Sequence, residues 1–197
     1  MSDIRKPWRI KSVRTVYTNK WIAVREYQTV APTGAGAVYG LVHPHNLAIG
    51  VLPIDADGNT ILVGQERFTL GRYSWELPEG GGPEHLPPLE SAQRELGEEC
   101  GLRAENWLPL FGDVHLSNSL TDERAYAFMA WNLSPDTRFA PDSSEELSVR
   151  RVPFADAVKM AVSGEITDGF SLVMLLKADH LLRTGGLPSA LSGLIQA

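Results

Sequence analysis

Cysteine is nearly absent: Cys100 stands alone among 197 residues. A single thiol cannot close an intrachain disulfide or build a cysteine-based zinc site. Cys100, at a helix end, is expected to pack. Long apolar runs are also missing. No stretch of 18 apolar residues occurs, so no membrane span is expected. The opening MSDIRKPWRI carries no long apolar segment, so no secretory signal is expected and a cytoplasmic location is the default. Positive charge is in the minority. Lys and Arg number 18 against 24 Asp and Glu, a formal charge of −6. That balance argues against a general nucleic-acid backbone binder, which needs a concentrated basic surface. It leaves room for a small anionic ligand held by a few arginines and a metal. Three short motifs are incomplete. Gly80-Gly81-Gly82 lacks the Gly-Lys-Ser/Thr of a P-loop and is no dinucleotide fingerprint. Asp55-Ala56-Asp57-Gly58-Asn59 lacks the ligand ladder and terminal Glu of an EF-hand. His43-Pro44-His45 has no Cys or third His nearby and reads as a structural or surface loop.

What remains is an ordinary core-forming composition, with 43% hydrophobic residues, on a length that suits one domain plus an arm. The chain is organised around Gly80–Leu102, and within it Arg94-Glu95-Leu96-Gly97-Glu98-Glu99-Cys100-Gly101-Leu102. Glu95 and Glu99 are four apart, so a helix sets them on one face, roughly 5–6 Å apart at their stems. Glu98 joins the edge of that cluster. Like charges at this spacing repel, and the helix gains nothing from them alone. A hard divalent cation such as Mg²⁺ or Mn²⁺ reverses the balance by taking oxygen ligands. A solvated acidic face is the other reading of the same spacing.

Thr18-Asn19-Lys20 reads as the turn between strands at 10–18 and 21–30, and 31–36 as a flexible break. Strands follow at Ala37–Val42, Leu47–Ile54, Thr60–Gly64, Trp107–Leu116 and Ala125–Leu133. Pro88 suits the first turn of the acidic helix and Gly101 its end. Leu89, Ala92, Leu96 and Cys100 give that helix an apolar stripe. Helices are expected at Pro153–Ser163 and after Asp168, with Thr167 or Asp168 as cap. The expected divisions are a β-rich arm over 1–36, a main domain over 37–183 and a loosely ordered tail over 184–197.

The organising stretch resembles the signature box of the Nudix hydrolases: Gly, five residues, Glu, seven residues, Arg-Glu-aliphatic, any, Glu-Glu, any, Gly-aliphatic. Gly80 stands at the first glycine. Arg94, Glu95, Leu96, Glu98, Glu99, Gly101 and Leu102 match the second half in order. One position departs: Leu86 stands where the box has its first glutamate, with Glu84 two residues earlier. In the family that glutamate mainly supports the loop–helix fold, so the departure bears on loop geometry more than on the cation. Gln65-Glu66-Arg67-Phe68 and Trp75-Glu76-Leu77-Pro78 resemble the ADP-ribose and nucleoside-diphosphate-sugar branch. The resemblance spans about residues 10–180.

It implies an α/β fold, the Nudix α/β/α sandwich with a mixed sheet and an N-terminal β arm. It implies Mg²⁺-dependent hydrolysis of ADP-ribose to AMP and ribose 5-phosphate, with Mn²⁺ as a substitute ion. Another nucleoside diphosphate sugar as substrate, or a non-catalytic nucleotide-binding protein on the same fold, are the alternatives. The metal ligands implied are Glu95, Glu98 and Glu99, with the peptide carbonyl of Glu79. Glu145 would position or deprotonate water, with Glu146 as fallback, beside Glu98 and Glu99 as catalytic carboxylates. Arg67 would orient the diphosphate. Glu76 would contact substrate or stabilise its turn, and Arg94 would brace the carboxylates or touch phosphate. Glu123 would approach substrate from a loop in which Ser117-Asn118-Ser119 departs from the branch. The expected partners are a small nucleoside diphosphate derivative and a second copy of the chain, joined through the arm by Trp8, Tyr17 and Trp21.

Overall fold

These patterns take shape in a computed structural model that describes residues 7–139 and 146–196, and there the chain divides into two units. The first runs to Asn46 and includes Ser117–Glu123; the second holds Leu47–Leu116 and everything from Arg124 onward. The boundary expected after residue 36 therefore falls ten residues later. The reason is a strand, β3 (Gly36–Pro44), that pairs along its whole length with β2 (Ile22–Val30).

In the first unit β1 (Arg9–Thr18), β2 and β3 form an antiparallel meander in that order. Asn19 makes the first turn by accepting the Trp21 and Ile22 N–H groups on its side-chain oxygen at 2.8 Å each. Every residue of β1 is exposed, Ile10, Val13, Val16 and Tyr17 included. The 117–123 segment docks on β3. Tyr39 donates its hydroxyl to the Ser119 carbonyl, and the Val42 N–H reaches the Leu120 carbonyl, both at 2.9 Å. The His43 ring faces Asp122, with Nδ1 2.9 Å from Oδ2, so this histidine is held by a carboxylate.

The second unit is a sheet between helices. Its strand order is β10 (Ser148–Pro153), β5 (Asn59–Arg67), β4 (Asn46–Ile54), β9 (Ala125–Pro135), β8 (Leu102–Val114). β4 and β9 run parallel and the other neighbours antiparallel, so the sheet is mixed, as expected. Period-two alternation sorts the side chains onto two faces. Leu47, Ile49 and Val51 of β4, with Phe128 and Ala130 of β9, pack on Ala92 and Leu96 of α1 (Pro88–Cys100). Leu52, Ile54, Ala127 and Met129 point the other way. They meet Phe154 and Ala157 of α2 (Phe154–Ser163) and Phe170, Met174 and Leu175 of α3 (Gly169–Thr184). Each fully buried aliphatic side chain contributes about 1.5–3 kcal/mol, so both faces are strongly held.

Two features depart from expectation. The tail after residue 184 is not loose: α4 (Ser189–Gln196) packs on the α2–α3 face, with Leu191 fully buried. Leu191, Leu194 and Ile195 make a helical stripe beneath a Gly-, Pro- and Ser-rich composition, and Leu187 packs just ahead of it. The second is a fork in the sheet. β4 and β5 pair at Ile54 and Thr60, beside their hairpin. Farther out, β6 (Arg72–Glu76) pairs with β5, while β7 (Glu79–Pro83) pairs with β4. Leu77 and Pro78 cross between the two branches.

Candidate active site

The acidic helix begins and ends as its sequence dictates. Pro88 sits in the first turn, where a missing N–H is harmless, and Gly101 closes the helix at φ 64° with its N–H on the Gly97 carbonyl at 3.0 Å. The apolar stripe faces the sheet, which turns the carboxylate edge toward β7. The two elements are stitched together there. The Glu79 N–H donates to Glu99 Oε2 at 3.0 Å. Arg94 donates to the Gly81 carbonyl at 2.6 Å and to Glu95 Oε1 at 2.5 Å, and it pairs with Glu98 one turn on. A β-carbon at Gly80 would overlap the carboxylate of buried Glu95. The first glycine of the box is thus the space into which the Glu95 carboxyl fits.

The fork supplies a second group. Glu76, at the end of β6, is 3% exposed, and its carboxylate is gripped by Arg67 from the end of β5 through Nε, at 3.0 Å to each oxygen, and Nη2. Arg67 Nη2 also leans toward Glu79 Oε1 at 3.4 Å. From α3, Asp168 caps the helix by accepting the Ser171 N–H at 2.6 Å. Ser171 in turn accepts the Leu77 N–H at 2.8 Å and so fixes the crossing between the branches. One oxygen from each of Glu76, Glu79 and Asp168 lies within 4.8 Å of the others.

Three carboxylates against one guanidinium leave this pocket short of positive charge. Burial, then the charges of Asp168 and Glu76, push the Glu79 carboxyl well above the usual range. The Glu76 carboxyl is lowered: burial acts against ionisation, but hydrogen bonds from Arg67 and Ser74 and the charge of Arg67 outweigh it. The Arg67 guanidinium is raised by the same pairing. Glu79 Oε2 is buried and has no hydrogen-bond partner among the described residues. An orphaned carboxylate oxygen in a cluster with Glu76 and Asp168 suits a hard cation, because Mg²⁺ and Mn²⁺ take carboxylate and carbonyl oxygen. The residues present fit a divalent ion.

The expected site residues fall as follows. Glu79, Arg94, Glu95, Glu98 and Glu99 meet across the α1–β7 seam, and Arg67 and Glu76 meet at the fork. Arg94 braces the carboxylates and the β7 backbone. Glu123 belongs to the first unit, where its N–H rests on Thr121 Oγ1 at 3.0 Å and burial raises its carboxyl. Glu145 lies outside the described residues; Glu146 is exposed. Leu86 is exposed, on a turn closed by its N–H to the Pro83 carbonyl at 3.0 Å, so the loop turns without the missing glutamate. Burial and the charge of Glu99 push the Cys100 thiol far up, which suits packing rather than reactivity. Two contributors were not expected in these roles. Asp168 reads as a cap, and its carboxylate also joins the fork. Ser171 carries no motif; its only signal is a hydroxyl inside the apolar run Phe170–Leu176 that opens the helix.

A model of the NUDIX domain matches residues 44–168. The chain is 34% identical to an ADP-ribose pyrophosphatase of Mycobacterium tuberculosis, over 88% of this chain and 84% of that protein. It is 30% identical to an ADP-ribose pyrophosphatase of Bacillus subtilis, over 78% and 82%. A CMP-5'-(N-acetyl-N-hydroxy-3-aminopropyl)phosphonate hydrolase of Streptomyces rubellomurinus is 24% identical over 85% and 81%. In fold, the chain is similar to the crystal structure of an ADP compounds hydrolase, with a TM-score of 0.82 over 94% of this chain and 99% of that one, at 21% identity.

Proposed function

Since the chain belongs to the Nudix family, we infer that it hydrolyses the diphosphate linkage of ADP-ribose to AMP and ribose 5-phosphate. The family and its relatives make it a hydrolase of pyrophosphate bonds. One observation supports the reading most: two ADP-ribose pyrophosphatases match most of the chain, and the carboxylates of the matching box are stitched to β7 at Gly80.

The reaction adds water across one P–O–P linkage and releases two phosphomonoesters. Glu76 holds Arg67 by its Nε edge, so the guanidinium is oriented before substrate arrives, and a fixed fork suits a diphosphate. Glu95, Glu98, Glu99 and the Glu79 carbonyl are the residues that would hold the divalent ions. Mg²⁺ is our choice, with Mn²⁺ as a substitute. When bound, such ions neutralise phosphate oxygens and make water a better nucleophile. Arg94 keeps Glu95 and Glu98 in place from behind. Glu145 is assigned the attacking water on the resemblance alone. Glu123 is assigned to substrate on the same basis. We place the enzyme in the cytoplasm, as an expectation from its sequence. We also assign it a homodimer joined by the arm, which the wholly exposed β1 and an apolar cavity of about 270 Å³ lined by Trp8, Ile10, Tyr27, Tyr39 and Leu41 support.

A panel of ADP-ribose, other nucleoside diphosphate sugars and a CMP conjugate, each with Mg²⁺, Mn²⁺ or chelator, tests the assignment. The expected result is metal-dependent release of AMP with the highest kcat/KM on ADP-ribose. A higher kcat/KM on another conjugate would move the substrate within the family, which the phosphonate hydrolase relative makes the alternative to watch. Binding without product release would make the chain a nucleotide-binding protein on this fold.

A further inference from the structure

A second polar cavity opens on the α1 side of the sheet. It measures about 230 Å³ and is lined by Gln93 of α1, Arg103, Ala104 and Trp107 of β8, and Arg138 beyond β9. We propose that it is an oxyanion site that takes a phosphate group, either free phosphate or the phosphoryl head of a small sugar phosphate.

Both arginines are held in place by neighbours. Arg138 gives Nε and Nη2 to Asp136 at 3.0 and 2.7 Å, and its own N–H closes on the same carboxylate at 2.9 Å. Asp136 is buried and its carboxyl is held down at about 2, so this brace stays ionised at any working pH. Arg103 gives Nε to Ser134 Oγ at 3.0 Å. Guanidinia fixed by one edge lose little freedom when the other edge meets an anion. Among the described residues none that lines the cavity is acidic, and Arg103 and Arg138 with the one carboxylate of Asp136 behind them sum to about +1. The half-buried Trp107, its Nε1–H turned to the Ala104 carbonyl at 3.2 Å, forms an apolar wall. The space equals about eight waters at ~30 Å³ each, below the ~300 Å³ at which pockets begin to enclose drug-sized ligands. It therefore suits a phosphate or a small phosphomonoester and is too small for a nucleotide.

The site is separate from the fork and does not depend on which substrate is hydrolysed. The test is calorimetric titration of the full-length protein, in chelator, with inorganic phosphate and with ribose 5-phosphate. One saturable site is expected for at least one probe, and the tighter probe identifies the source. Arg103→Gln should weaken it tenfold or more, and so should Gln93→Glu, which sets a negative charge on the exposed rim. Arg67→Gln should leave it unchanged. Absence of saturable binding by both probes would overturn the proposal. So would equal affinity in Arg103→Gln and Gln93→Glu, or loss of binding in Arg67→Gln, which would put the anion at the fork instead.

Discussion

Glu99 accepts the Glu79 N–H and is also assigned to the cation, so its charge matters more than its shape. Glu99→Gln keeps a carbonyl for that N–H while removing the charge. Metal-supporting partners are worth about 10–100-fold, and a ligand at least as much, so Mg²⁺-dependent kcat should fall by about 100-fold or more. The melting temperature should stay within a few degrees; unchanged turnover would remove Glu99 from the cation. Glu79 behaves differently, because its Oε2 is buried without a hydrogen-bond partner among the described residues. Glu79→Gln replaces a poorly compensated charge by an amide that can donate to Glu76 or Asp168. In chelator the variant should melt higher than the parent. A variant that melts lower in chelator would show that the carboxylate is already compensated. At this scale the sequence was most informative where partners are close in the chain. Glu95, Glu98 and Glu99 could be read from helical spacing, and Arg94 from its place in the box. Asp168 could be read as a cap but not as a member of the fork, and Ser171 could not be read at all, because it meets Leu77 across 94 positions and no local pattern encodes that meeting.

At the scale of elements, α1 was legible down to both caps, since Pro88, the apolar stripe and Gly101 act locally. β6 and β7 were not. Glu79–Pro83 is mostly glycine and has no strand propensity; it is extended because β4, opened by the fork, offers unpaired backbone groups that must be satisfied. α4 was missed for the opposite reason, since composition hid a short apolar period. Gly97 was ambiguous in the sequence, as a weak point in a helix that matters. In the structure the Phe139 ring fills the place where a β-carbon would go. Gly97→Ala would gain about 1 kcal/mol in helix propensity and lose about 1–3 kcal/mol to overpacking. The net effect should be a loss, read as a melting point lower by roughly 2–4 °C per kcal/mol. An increase would mean that Phe139 moves aside freely.

At the scale of the molecule, the net charge of −6 coexists with local arginine clusters, so overall acidity did not exclude anion chemistry. The family fold was legible through the box and its flanks, whereas the division into units was not, because β3 pairs backward rather than forward. The exposed β1 carries the oligomer prediction. Light scattering of the full chain should give about twice 21.6 kDa, and Val13→Lys with Val16→Lys should halve it by placing charges on that strand. A parent protein that is wholly monomeric would end the dimer proposal.

The parallel pairing of β4 with β9 sets a timetable for synthesis. Ala48 meets Ala125 and Ile54 meets Trp131, a separation of 125 − 48 = 77 positions, and closing such a loop costs about 4 kcal/mol in chain entropy. On the ribosome those 77 residues take roughly 4–15 s at ~5–20 residues per second. Throughout that interval the most apolar strand of the nascent chain has one edge without its partner, and that is the window in which a chaperone has something to hold.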